Sequence, residues 1–263
     1  MERILVGACV LALGVASWTT GAGGATLAEV KNGKGLHICA NPEALPFSSD
    51  DPARPGVQLE LARKIADALG VKTEVSWVYV PRAARQAGCE VFMSTAVVPG
   101  GSPTSRTPMR VTKPYSGTGY VLLVPRSSNS VKTAKDLRGQ KIGVLVHSVA
   151  QWELTKRGLV TSPTLTQEEV FELMLTGQAG AGVLPAAYAG WYLKEHPDAP
   201  VKIAEEYKLE PELRWNLAVG LRDADQALVD AVSQILGDLQ RDGTIRAMFA
   251  KYGIPYYEPF PTP

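Results

Sequence analysis

Val57-Gln58-Leu59-Glu60-Leu61-Ala62-Arg63-Lys64-Ile65-Ala66-Asp67-Ala68-Leu69-Gly70 sets Val57, Leu61, Ile65 and Leu69 at four-residue steps and stops on glycine. That spacing gives one apolar face on an amphipathic helix with a glycine end. Upstream, Leu36-His37-Ile38-Cys39-Ala40 is a short apolar strand closed by Asn41-Pro42. Downstream, Thr73 to Val80 alternates as a second strand carrying Trp77. A short helix is expected around Arg82 to Ala87, and Val91-Phe92-Met93 forms a third strand. Strand, helix, strand, helix, strand is the opening of a doubly wound domain, so the expected class is α/β with a mostly parallel sheet.

A loop of breakers, Pro99-Gly100-Gly101-Ser102-Pro103, separates this series from the strand Gly119-Tyr120-Val121-Leu122-Leu123-Val124, which Pro125 ends. A second αβ series opens at Lys135-Asp136-Leu137-Arg138-Gly139. The apolar strand Lys141 to Val146 follows, then Ser148 as a helix N-cap. Thr166 and Glu169 form a capping box before Val170, Phe171, Leu173 and Met174. Ala181 to Leu184 is a further strand, and after Leu217-Ala218-Val219-Gly220 a long helix carries Leu228, Val232, Ile235, Leu236 and Leu239. Two αβ series joined by extended segments predict two lobes.

With 263 residues, 45% hydrophobic, the chain is large enough for a substantial core. Its net charge of +1 supplies no basic field for nucleic acid. Met1-Glu2-Arg3, an uncharged stretch from Ile4 to about Ala16, and small residues from Gly21 to Ala25 describe a secretory signal peptide over residues 1–25. The apolar run falls short of the roughly 20 residues a spanning helix needs. Val6-Gly7-Ala8-Cys9 has the look of a lipoprotein box but leaves almost no apolar region before the cysteine. The mature protein is therefore expected in the periplasm, not embedded in the membrane. It keeps Cys39 and Cys89. An even count in an oxidising compartment favours a disulfide, the alternative being two separately buried thiols. No histidine stands near either cysteine at zinc-type spacing, so neither a metal site nor a cofactor is expected.

Leu36-His37-Ile38-Cys39-Ala40-Asn41, Leu45-Pro46-Phe47 and Ile65-Ala66-Asp67-Ala68-Leu69-Gly70 resemble the opening of family 3 bacterial solute-binding proteins. So do Ala87-Gly88-Cys89-Glu90-Val91, Lys113-Pro114-Tyr115 and Asp136-Leu137-Arg138-Gly139-Gln140-Lys141-Ile142-Gly143-Val144, in order along the chain. Leu217-Ala218-Val219-Gly220, Asp242-Gly243-Thr244-Ile245 and Lys251-Tyr252-Gly253 complete the series. The resemblance implies a two-lobed periplasmic-binding-protein fold, each lobe a mostly parallel sheet flanked by helices, with two crossover segments and a ligand cleft that closes by a hinge. Lobe 1 would take residues 34–118 plus 221–263, and lobe 2 residues 122–216. The cysteine strands and the Ala40-Asn41-Pro42 to Pro46-Phe47 pattern are also similar to a subgroup accompanying periplasmic quinoprotein dehydrogenases in methanol oxidation.

Amino-acid binders of the family hold the ligand carboxylate with an arginine after the third strand, by bidentate charge-assisted bonding. Here Ser94-Thr95-Ala96-Val97-Val98-Pro99-Gly100 occupies that stretch without one. Arg106 and Arg110 follow, either as cleft residues or as solvated loop arginines. Gly180 to Tyr188, where those binders place an acid for the ligand ammonium, holds no carboxylate. Ordinary α-amino acids are therefore expected to bind poorly. His147-Ser148 stand where the family usually has glycine and threonine at a helix N-terminus. Ser148 caps the helix or offers a polar contact, and His147 meets ligand or serves structure. Phe47, Tyr115, Pro185 and Tyr188 are the aromatic and apolar candidates, and Asn41, Ser94 and Thr95 the polar ones. Trp77 and Trp191 read as packing.

No Gly-x-Ser-x-Gly elbow, His-Glu-x-x-His or Walker loop appears, and the three histidines are scattered, so the chain is expected not to be an enzyme. Two binding roles remain. One is capture of a small solute by a monomer that docks on an ABC permease. The other is an accessory role beside a quinoprotein dehydrogenase or its cytochrome c.

Overall fold

The computed structural model describes residues 25–98, 109–128, 131, 134–207 and 210–261. Residues 1–24, on which most of the signal-peptide expectation falls, and Arg106 lie outside the described residues. Thr26 caps a short helix, α1 (Leu27–Glu29), and the turn that follows it leaves helical geometry at Asn32 and Gly33. Strand β1 (Leu36–Ala40) follows, then a small hairpin of β2 (Glu43–Ala44) and β3 (Ser48–Ser49). Helix α2 (Val57–Leu69) begins after Gly56. That residue sits at φ 91°, and a Cβ on it would collide with the Phe47 backbone. Only glycine lets the helix start so close to the Phe47 loop. The expected stripe buries Val57, Leu61 and Ile65, with Leu59, Ala62 and Ala66 beside them.

The chain then runs through β4 (Thr73–Trp77), α3 (Pro81–Gln86), β5 (Val91–Val97), β6 (Met109–Val111) and β7 (Ser116–Pro125). The second series is β8 (Lys141–Leu145), α4 (Val149–Lys156), β9 (Val160–Thr164), α5 (Gln167–Leu175), β10 (Ala181–Pro185), α6 (Ala186–Glu195) and β11 (Val201–Ile203). It returns by β12 (Arg214–Arg222) and ends in α7 (Gln226–Arg241) and α8 (Thr244–Lys251).

Strand order is β4-β1-β5-β12-β7-β10-β8-β9. The two outer triads, β4-β1-β5 and β10-β8-β9, are parallel as expected. Between them β12 and β7 run antiparallel to their neighbours, so the sheets are mixed. Strand β7 crosses from one half to the other. Ser116–Gly119 pair with β12, and Tyr120–Leu123 pair with β10. One apolar core gathers Ile38, Leu61, Ile65, Val219, Leu228 and Phe249. The second half packs on both faces of its sheet, Ile142, Val144 and Leu154 on one, Val121, Val170, Phe171 and Leu184 on the other.

Strand β9 was not expected; it contains Pro163 and lies at the sheet edge, where proline's missing donor does little harm. Cys39 and Cys89 form a disulfide, Cα atoms 5.5 Å apart. Cys39 is in β1, but Cys89 precedes β5, a loop position and not the strand expected.

The segment after α8 ties the halves together. The Gly117 N–H donates to the Tyr257 carbonyl at 2.8 Å, and Tyr257 packs on the second core while Tyr256 packs on the first. Gly190 of α6 meets Gly253 so closely that a Cβ on either would strike the other's backbone. Asn216 is fully buried in β12. Its Nδ2 donates to the Phe260 carbonyl at 2.9 Å, and its Oδ1 accepts from the Phe260 N–H at 2.8 Å. Asn216→Ala would strip both partners from that backbone. A loss of about 2–3 kcal/mol is expected by urea unfolding, whereas an unchanged midpoint would mean that the tail bonds add nothing.

Candidate ligand-binding cleft

Parallel strands end on one side of a sheet, and ligands of open α/β sheets sit at those carboxyl ends. Here the ends of β1, β9 and β10 face one another across a cavity of ≈ 470 Å³. Ala44, Leu45 and Phe47 form one wall, and Thr166, Gln167, Glu168, Pro185 and Tyr188 the other. A second cavity of ≈ 340 Å³ shares Ala44 and Phe47 and reaches Asn41, Gln58, Tyr79, Phe92 and the disulfide at Cys39. A groove of ≈ 510 Å³ also lies along α7, lined by Lys113, Gln226, Asp230 and Ser233. It is built by one half of the molecule alone, and its Ser233 hydroxyl already accepts from the Lys113 N–H at 3.2 Å. The interlobe cavity is the better candidate for a ligand site because residues of both halves wall it.

Phe47, Pro185 and Tyr188 line the interlobe cavity, and Asn41 lines its neighbour. Asn41 Oδ1 accepts from the Glu43 N–H at 2.9 Å, holding the turn after β1. Ser94 and Tyr115 form a layer outside the lining of either cavity. Gln58 Nε2 donates to Ser94 Oγ at 2.8 Å, and the buried Tyr115 hydroxyl donates to the Met93 carbonyl at 2.7 Å. Burial pushes the Tyr115 phenol up to about 12. Thr95 is 9% exposed, its hydroxyl 3.4 Å from the Phe92 carbonyl. His147 is exposed, at φ 58°, the left-handed region that suits a glycine, and its N–H donates to Gln151 Oε1 at 2.6 Å. Ser148 caps α4, accepting from the Gln151 N–H at 3.1 Å and donating to the Leu145 carbonyl at 2.7 Å. Neither His147 nor Ser148 is in the lining of these cavities. Arg110 donates to Gln226 Oε1 at 2.7 Å, on the α7 side.

Glu168 was missed. The carboxylate was sought between Gly180 and Tyr188, but it comes from the first turn of α5. Thr166 Oγ1 accepts from the Glu169 N–H at 3.2 Å, while Glu169 Oε2 accepts from Leu165 N–H at 2.8 Å and not from Thr166 as the capping box predicted. Glu169 is thus occupied and Glu168 faces the cavity. Burial first, and the Glu168 carboxylate second, hold the Tyr188 phenol above its usual range. Ring contacts fix Tyr188, with Phe171 at 6.4 Å and Trp191 at 5.8 Å between centroids. Among the described residues no group of three His, Cys, Asp or Glu is placed to hold a metal ion. No helix among them is long and apolar enough to cross a membrane.

Residues 36–255 match the model of the bacterial extracellular solute-binding proteins, family 3. The chain belongs to that family. This family 3 chain is 25% identical over 248 residues to a probable amino-acid ABC transporter-binding protein of Haemophilus influenzae, covering 94% of itself and 95% of that protein. An L-cystine-binding protein of Escherichia coli is 24% identical over 78% of the chain and 77% of its own length. The L-cystine solute receptor of Neisseria gonorrhoeae, in its unliganded open conformation, superposes with a TM-score of 0.74 at 24% identity, covering 86% of this chain and 96% of that one. The two-lobed architecture of this family 3 protein is therefore that of the binding proteins.

Proposed function

We propose that this family 3 protein is the periplasmic solute-binding component of an ABC importer, closing lobes 34–118 plus 221–263 and 122–216 on a small ligand other than an ordinary α-amino acid. The observation that carries this reading is the interlobe cavity, walled from both sides and lined, among the described residues, by neither arginine nor lysine. An α-carboxylate taken out of water there would lack the charge-assisted partner it needs. The relatives are named for amino acids and L-cystine. At 24–25% identity they support the binding role, and the lining chemistry argues for a different solute.

Phe47, Pro185 and Tyr188 are proposed to touch the ligand directly. Asn41 would bound the adjoining space, with Ser94, Thr95 and Tyr115 shaping the wall behind it. A thermal-shift screen tests the reading. The true solute at 100 times its dissociation constant should add about 2.7 kcal/mol of stability. The twenty common amino acids and L-cystine are expected to give no shift, and micromolar binding of any of them sinks the exclusion. A blank solute screen together with co-purification of a quinoprotein dehydrogenase would favour the accessory role instead.

A further inference from the structure

Among the described residues, Glu168 carries the only formal charge in the lining of the interlobe cavity. Among the described residues it makes no hydrogen bond or ion pair, unlike Glu169, whose carboxylate is taken up by the Leu165 N–H. The bland reading of an acid in a first helical turn is compensation of the helix dipole. That dipole supplies only about half a positive charge, so a full carboxylate leaves the site net negative. Gln167 stands next to it in the lining, and its Oε1 is buried with no donor among the described residues. A donor brought by the ligand would partner both the solvent-exposed Glu168 carboxylate and the buried Gln167 Oε1. Across the cavity is the Phe47 ring, and beside Glu168 is that of Tyr188, and aromatic faces attract cations.

We propose that the cleft selects an organic cation without a carboxylate, an amine, guanidinium or quaternary ammonium compound, held between Glu168 and the rings of Phe47 and Tyr188. An anion would set like charge against Glu168. A zwitterionic amino acid would satisfy Glu168 but strand its own carboxylate, and a neutral solute would leave Glu168 desolvated and unpaired on closure. The proposal rests on the solute-binding reading and adds the charge class of the solute.

A matched series tests it by calorimetry on the mature protein. 2-Phenylethylamine, phenyltrimethylammonium and agmatine are the cations. L-Phenylalanine, 3-phenylpropionate and 2-phenylethanol supply the zwitterion, anion and neutral molecule. At least one cation should bind tenfold or more tightly than the anion and the neutral compound. Glu168→Gln, which keeps the side-chain shape, should lower that affinity at least tenfold. Glu172→Gln, an exposed change on the same helix outside the lining, should leave it unchanged. Equal or tighter binding of the anion or neutral compound overturns the proposal and leaves the solute-binding reading standing. So does cation affinity that survives Glu168→Gln. If no cation binds below about 1 mM, the weak end of specific affinity, the cation class is overturned. Failure of every other arm as well would sink the solute-binding reading with it.

Discussion

Replacing Cys39 and Cys89 together by alanine should lower the stability of the folded protein by about 4 kcal/mol. The two cysteines are 50 residues apart in sequence, and the chain-entropy relation gives about 3 kcal/mol for a 15-residue loop and about 4.7 for a 100-residue one. The bond fastens β1 to the loop that enters β5, and those strands are joined by one pair of register partners, Ile38 and Val91. Alanine is the informative replacement, since a serine at the fully buried Cys89 would add an unpaired hydroxyl. Urea unfolding of the oxidised protein and the double variant measures the difference, and in a chain of this size it corresponds to roughly 10 °C in midpoint. A loss below about 1 kcal/mol would show that β1 and its neighbours already hold that loop closed in the unfolded ensemble. Because Cys39 also lines the smaller cleft cavity, the double variant should distort that wall.

Phe171→Ala is expected to remove about 3–5 kcal/mol, the range for deleting a large buried ring. Phe171 is fully buried in the second core, and its ring stacks on Tyr192 at 3.7 Å and 14°. The same ring backs Tyr188 at the cavity wall. Two readouts should therefore move together: the unfolding midpoint falls, and the ligand affinity falls because Tyr188 loses the surface that orients it. Phe171→Leu, which keeps much of the volume, should fall between the two. A Phe171→Ala variant with near-normal stability would mean that the α5–α6 layer collapses onto the space, and unchanged ligand affinity would separate Tyr188 from its backing.

The legible parts of the molecule share a short range. The Val57, Leu61, Ile65 and Leu69 stripe, the Ser148 cap and the Thr166 cap each depend on contacts within four residues, which is why spacing alone exposes them. Cysteine parity worked for a related reason, since only two thiols remain past the expected signal. The site was only partly readable. Phe47, Pro185 and Tyr188 follow strand ends and do meet in the cavity. Ser148 was placed on the correct helix end, yet its hydroxyl is spent on Gln151 and Leu145.

By itself the sequence determined the α/β class, the two series of elements and the family, because periodicity, caps and ordered motifs are written locally, while it favoured the Cys39–Cys89 bridge that the structure shows. Tertiary structure alone decided that β7 and β12 run antiparallel between two parallel triads, that Asn216 is matched by Phe260, and that Gly190 lies against Gly253. It also decided the charge of the cleft. The stretch from Gly180 to Tyr188 holds no acid in the sequence itself, and Glu168 brings one to the cavity from the start of α5, next to the edge strand β9. Which residues share a cavity depends on strand order and on where distant chain ends converge, and no spacing within a single segment encodes either.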